Sequence, residues 1–152
     1  MHNLVMRLLL LCLLILVAPS SLKAQTPPVW HTDKMEALHI AEMSGKPFLI
    51  VFNGTGWDKA SDTFMKDFSS DPGFPALASR VVLLRVDMPS APITPSTEEE
   101  IQRNNLAVFF RIDTVPTVIL CDTEMIKTKA RVLPSGQPVH DVVSRLLQSL
   151  PN

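Results

Sequence analysis

The sequence predicts an α/β domain: a mixed, four-stranded core sheet with helices on both faces. Three observations point there. "FLIVF" (Phe48 to Phe52) and "VVLLRV" (Val81 to Val86) are nearly unbroken apolar runs, as suits strands covered on both sides. Segments of helical spacing alternate with these runs, so helices must lie over the sheet. The last two extended runs, "TVILC" (Thr117 to Cys121) and "KTKARVL" (Lys127 to Leu133), are joined through "DTEM", a link short enough for an antiparallel hairpin.

Each element has a local reason. A first helix starts at Thr32 and Asp33, carries Met35, Leu38 and Ala41 as its apolar stripe, and is stopped by Gly45 and Pro47. The first strand follows, and then a second helix that opens near Asp58, buries Phe64, Met65 and Phe68 and is closed by "SDPGFP". After the second strand comes a proline-rich loop, "MPSAPITPS", and a third helix with a capping box in either of two registers, Ser96 with Glu99 or Thr97 with Glu100. Glu98, Glu99 and Glu100 also suit the positive end of that helix's dipole. "KTKARVL" mixes polar and apolar residues, as an edge strand does, and its lysines discourage pairing with another chain. Pro138 opens a fourth helix whose stripe is Val139, Val142, Val143, Leu146, Leu147 and Leu150.

Ahead of this domain, Arg7 precedes an apolar run from Leu8 to Val17, Pro19 breaks it, and Ala24 ends a small-residue stretch. That is the pattern of a secretory signal, and the run is short of the roughly 20 residues that span a bilayer. The expected division is a signal peptide, 1–24, and one domain, 25–152, with no membrane insertion after cleavage. Export places the domain in a periplasm if the source is a Gram-negative bacterium, and otherwise outside the cell. Arg7 and Lys23 leave with the signal, so 12 of the 14 basic residues remain against 15 acidic ones. A negative domain without a basic patch argues against a nucleic-acid partner. Cys12 leaves too, and the single remaining thiol, Cys121, cannot close an internal disulfide.

Four pieces then recur in order along nearly the whole mature chain: Gly45-Lys46-Pro47, Phe52-Asn53-Gly54-Thr55-Gly56-Trp57, Val86-Asp87-Met88-Pro89 and Pro116-Thr117. In that order and spacing the chain resembles the thioredoxin fold, and more closely the exported thioredoxin-like proteins of the disulfide-isomerase type. Their pattern runs GKP, an apolar strand, F-x-G-x-x-W-C-x-x-C, V-D-F-P and P-T. The departure falls on the chemistry, because the two cysteines of that pattern map onto Asp58 and Ser61 in "DKAS". Disulfide exchange needs an attacking thiolate and a resolving thiol, and neither a carboxylate nor a hydroxyl replaces them. Asp58 nevertheless puts an anion at a helix N-terminus, where the backbone amides of Ala60 or Ser61 can cap it. By the same resemblance the Val115–Pro116 bond is expected to be cis, with Val115 offering its backbone to an extended peptide.

These residues support two readings of function. In the first, the chain is a redox-inactive binding or chaperone-like module. It holds an extended or unfolded segment of another exported protein in a groove formed by Trp57, Asp58, Val115 and Pro116, with no catalytic residue, cofactor or metal. In the second, it is an atypical thiol–disulfide oxidoreductase acting through Cys121, or a descendant of such enzymes. A purely structural subunit is a third possibility. Trp57 is either an exposed platform or a filler beside the sheet, and Arg131 aligns loosely with a position often kept as glycine, which counts against an open groove. Cys121, at the end of an apolar strand, is expected to be buried and inert. His31, His39 and His140 have no short spacing to one another or to cysteine and are expected to be surface or cap residues.

Overall fold

The structure, a computed structural model, describes residues 27–151. Residues 1–24, the expected signal peptide, lie outside them. β1 (Trp30–His31), α1 (Lys34–Ser44), β2 (Phe48–Asn53), α2 (Lys59–Ser70), α3 (Phe74–Arg80), β3 (Val82–Asp87), α4 (Glu98–Phe109), β4 (Thr117–Cys121), β5 (Thr128–Val132) and α5 (Val139–Gln148) follow in chain order. The sheet runs β1-β3-β2-β4-β5, with β1 and β2 parallel to β3, β4 antiparallel to β2, and β5 antiparallel to β4.

The strands sort their side chains by alternation, which splits the core into two layers. Leu49, Val51, Leu83, Val118, Leu120 and Val132 face α2, α3 and α5. Phe48, Ile50, Phe52, Val82, Leu84, Val86 and Ile119 face α1 and α4. All six residues of β2 are buried, as its unbroken apolar run requires.

The sheet has five strands where four were expected. The extra one, β1, is only two residues long and has no periodicity of its own; Trp30 and His31 become a strand because Leu83 and Leu84 of β3 lie beside them. Trp30 then stacks on Phe74 with ring centroids 6.1 Å apart. "SDPGFP" does end α2, but the chain re-enters a helix at once: Pro75 sits in the first turn of α3, where its missing N–H is harmless. Met35 was expected on the buried stripe of α1 and is instead 63% exposed, the inward positions being Ala37 and Ala41. Of the two capping registers before α4, Thr97 with Glu100 is the one formed.

Candidate functional site

The site is built where β2 ends. Gly54 turns the chain, Gly56 adopts φ +78°, and Asp58 in extended conformation starts α2. Glycine at 54 is a packing requirement, since a Cβ there would lie 2.8 Å from both Asp58 Cβ and the Trp57 ring. Trp57 is pinned from the far side, its indole N–H donating to the Met88 carbonyl at 2.8 Å. Its ring remains 47% exposed. Thr55 donates to the Asp87 carboxylate, and the Met88 amide donates to the Asn53 carbonyl at 2.7 Å, so the turn is tied to the end of β3.

At the centre are Asp58 and Ser61. Asp58 Oδ2 accepts the Ser61 backbone N–H at 2.9 Å and the Ser61 hydroxyl at 2.6 Å. The same hydroxyl accepts the Gly54 N–H at 3.0 Å, so Ser61, which is fully buried, has its donor and acceptor both satisfied. The Ser61 hydroxyl, with the Ser61 and Ala60 amides adding to it, holds the Asp58 carboxyl below the ordinary carboxylate range against a smaller opposing effect of desolvation. The pair is a closed cap bearing a fixed negative charge. It has no group able to attack or release sulfur.

The Val115–Pro116 peptide bond is cis. Pro116 lines a cleft of about 480 Å³ together with Lys59, Ala60 and Thr63 of α2 and the loop from Pro134 to Gln137 that leads into α5. Trp57, Asp58 and Val115 are not among its lining residues. Trp57 turns toward Met88, Asp58 lies one residue before the cleft wall, and half-buried Val115 packs with the core layer on the α1 and α4 side. The cleft's second wall was missed in the sequence, although Gly136 (φ +72°) and the prolines at 134 and 138 signal a shaped loop there.

Arg131 does not close this cleft. It pairs across the sheet with Ile119, on the α1 and α4 face, and its guanidinium reaches the Arg111 carbonyl at 3.5 Å. Cys121 is fully buried at the end of β4, and burial, with a contribution from Asp122, pushes its thiol up to about 12. Among the described residues no three His, Cys, Asp or Glu side chains gather as a metal site, and no helix is long and apolar enough to cross a membrane.

A family model described as thioredoxin-like matches residues 29–123. Among solved structures, one titled DsbH Oxidoreductase is similar at 19% identity and a TM-score of 0.70, over 88% of this chain and 91% of that one. The solution structure of a thioredoxin from Thermus thermophilus is similar at 18% identity and a TM-score of 0.58, over 81% and 87%. At such identities the likeness is one of fold. No curated protein matches the chain.

Proposed function

The chain belongs to the thioredoxin-like family, and from that premise we propose that it is an exported, non-catalytic member that holds an extended segment of another exported protein. The observation that carries this reading is the Asp58–Ser61 cap, which fills both cysteine positions with groups that satisfy each other, beside a cleft that stays open at Pro116. Thiol–disulfide exchange is thereby removed from the turn. Peptide binding makes no demand on sulfur: backbone hydrogen bonds and side-chain pockets suffice. Export is supported by the leader pattern at 1–24 and leaves the compartment as periplasm or exterior.

The similar structure titled an oxidoreductase motivates the rival reading, an enzyme working through Cys121. That reading needs an accessible thiolate, and burial together with the raised pKa weighs against it.

Binding of an unfolded, cysteine-free polypeptide, followed by fluorescence anisotropy, tests the proposal. Wild-type protein is expected to bind and to leave insulin disulfides intact. Thr63→Arg, Pro116→Ala and Trp57→Ala separate the cleft from the tryptophan platform. Equal binding by all three folded variants, or insulin reduction by the wild type, removes the proposed function.

A further inference from the structure

α2 and α4 cover opposite faces of the sheet, and their outward surfaces are built differently. α2 presents Lys59, Asp62, Lys66 and Asp67 to solvent, as a surface helix ordinarily does. On α4 the positions turned away from the buried Leu106 and Ala107 are Ile101, Asn105 and Val108, and none of them carries charge. Ile101 is 41% exposed and Val108 77%, so the core does not use them. With Glu98 ahead of them they follow in steps of three, four and three, the spacing by which one helix lays a continuous seam along another.

The charges stand at the two ends of this seam. Glu98 is exposed in the first turn. At the far end α4 closes in a Schellman motif, the Ile112 amide donating to the Ala107 carbonyl at 2.8 Å and the Arg111 amide to the Val108 carbonyl at 3.1 Å. The left-handed position of that motif usually holds glycine, because a Cβ is strained there; here it is Arg111, at φ +51°. Arg131 reaches the Arg111 carbonyl at 3.5 Å and adds a second guanidinium. Among the described residues, none of Glu98, Arg111 and Arg131 forms an ion pair.

We propose that α4 is the interface of a symmetric homodimer, packed antiparallel against α4 of a second copy of this chain. A two-fold axis crossing the helix beside Asn104 and Asn105 brings Ile101 of each copy against Val108 of the other, and Glu98 of each beside Arg111 of the other. An acidic end, an apolar middle and a basic end on one helix complement themselves in this orientation. A parallel pairing would set like charges together. Opposed helix dipoles act in the same direction. Asn105 falls next to the axis, where its amide can donate to and accept from its counterpart, and a single polar residue in such a seam fixes the register. Phe109, 57% exposed, adds apolar area at the flank. A contact of about three helical turns is small, so the dimer is expected to be weak and concentration-dependent. The clefts beside α2 lie across the sheet and stay open in both copies, and the interface stands or falls separately from peptide binding.

Sedimentation velocity of the purified protein over rising concentration tests this, and a monomer–dimer equilibrium is expected. Val108→Glu places two like charges in the apolar middle and should weaken the dimer by roughly 100-fold or more, with helix content unchanged by circular dichroism. Lys66→Glu, on the outward face of α2, should leave it as it is. Glu98→Arg and Arg111→Glu each set like charges against each other in their own homodimers. Mixed in equal amounts, the two variants regain opposite charges at both ends, so their heterodimer should outweigh either homodimer. A chain that stays monomeric at every concentration would leave the face to a different partner and overturn the proposal. So would a dimer that survives Val108→Glu, or a mixture with no preference for the heterodimer.

Discussion

The first turn of α2 and the last residue of β4 divide between them what a redox thiol needs. At the turn much of the setting is present: the Ser61 amide and hydroxyl at a helix N-terminus hold Asp58, the neighbouring indole of Trp57 is exposed, and the cis proline bounds the cleft beside Lys59 and Ala60. The sulfur is missing. At Cys121 the sulfur is present, but it lies within the sheet with no exposed surface, and burial raises its pKa to about 12. Thiol reactivity thus belongs to an atom and a place together, and in this chain the only described thiol lies away from the place.

Restoring the atom to the place should have the largest effect. Asp58→Cys combined with Ser61→Cys, in a Cys121→Ala background, is expected to form a disulfide and raise insulin reduction from background to turnover. A double variant that forms the disulfide and remains inactive would mean that the surrounding frame has also lost competence. The reverse experiment concerns the sulfur already present. With its pKa near 12, Cys121 holds roughly one thiolate in ten thousand molecules at pH 8, so iodoacetamide should modify it only after denaturant is added. Rapid labelling of native protein would break the contrast between the two regions.

A smaller effect sharpens the comparison at the turn. Ser61→Ala leaves the buried Gly54 N–H without its acceptor and strips Asp58 of its hydroxyl donor, and should destabilise the fold by about 1–3 kcal/mol in urea unfolding. Asp58→Ala removes an N-cap worth about 1 kcal/mol. Because both changes delete the same bond, the double variant should lose less than the sum of the two.

The smallest effect is set by acid. Hydrogen bonds from the Ser96 amide and hydroxyl and from the Thr97 amide hold the Glu100 carboxyl at about 2, below its ordinary 4.5. Its folded-state pKa is depressed, so its contribution to the start of α4 is full above the ordinary value and is lost as pH falls through about 2. The lowered Asp58 carboxyl acts in the same direction at the start of α2. Amide protection factors, the intrinsic rate at each pH divided by the observed rate, should fall in the first turns of α2 and α4 over that descent, while those of β2 stay high. Glu100→Ala should remove the pH dependence from α4 alone.

Most of the architecture is legible in the order of residues, and the reasons are local. Apolar runs with no polar alternation mark β2, β3 and β4, and Pro and Gly mark their boundaries. The cap at Asp58 could be foreseen with the Ala60 or Ser61 amide as its donor because all lie within one helical turn; the structure selects Ser61 and adds its hydroxyl. What stayed hidden depended on neighbours distant in sequence. Trp30 and His31 become a strand only beside β3. Met35 has the spacing of a core residue, but Ala37 and Ala41 take the inward positions. Arg131 counts against a groove until the register of β5 against β4 turns it to the other face.

Taken alone, the sequence determined the chemical inventory at each position and the order of elements: a carboxylate and a hydroxyl where disulfide chemistry would need thiols, capped helix starts, and strands apolar enough for the middle of a sheet. Tertiary structure decided which of those groups meet, bringing the loop from Pro134 to Gln137 opposite α2 and Pro116, sealing Cys121 inside, and leaving Ile101 and Val108 in solvent. The physical reason is range. Capping, turn chemistry and periodicity act within a few residues, whereas exposure and cleft walls follow from strand register and helix packing, which join segments far apart along the chain.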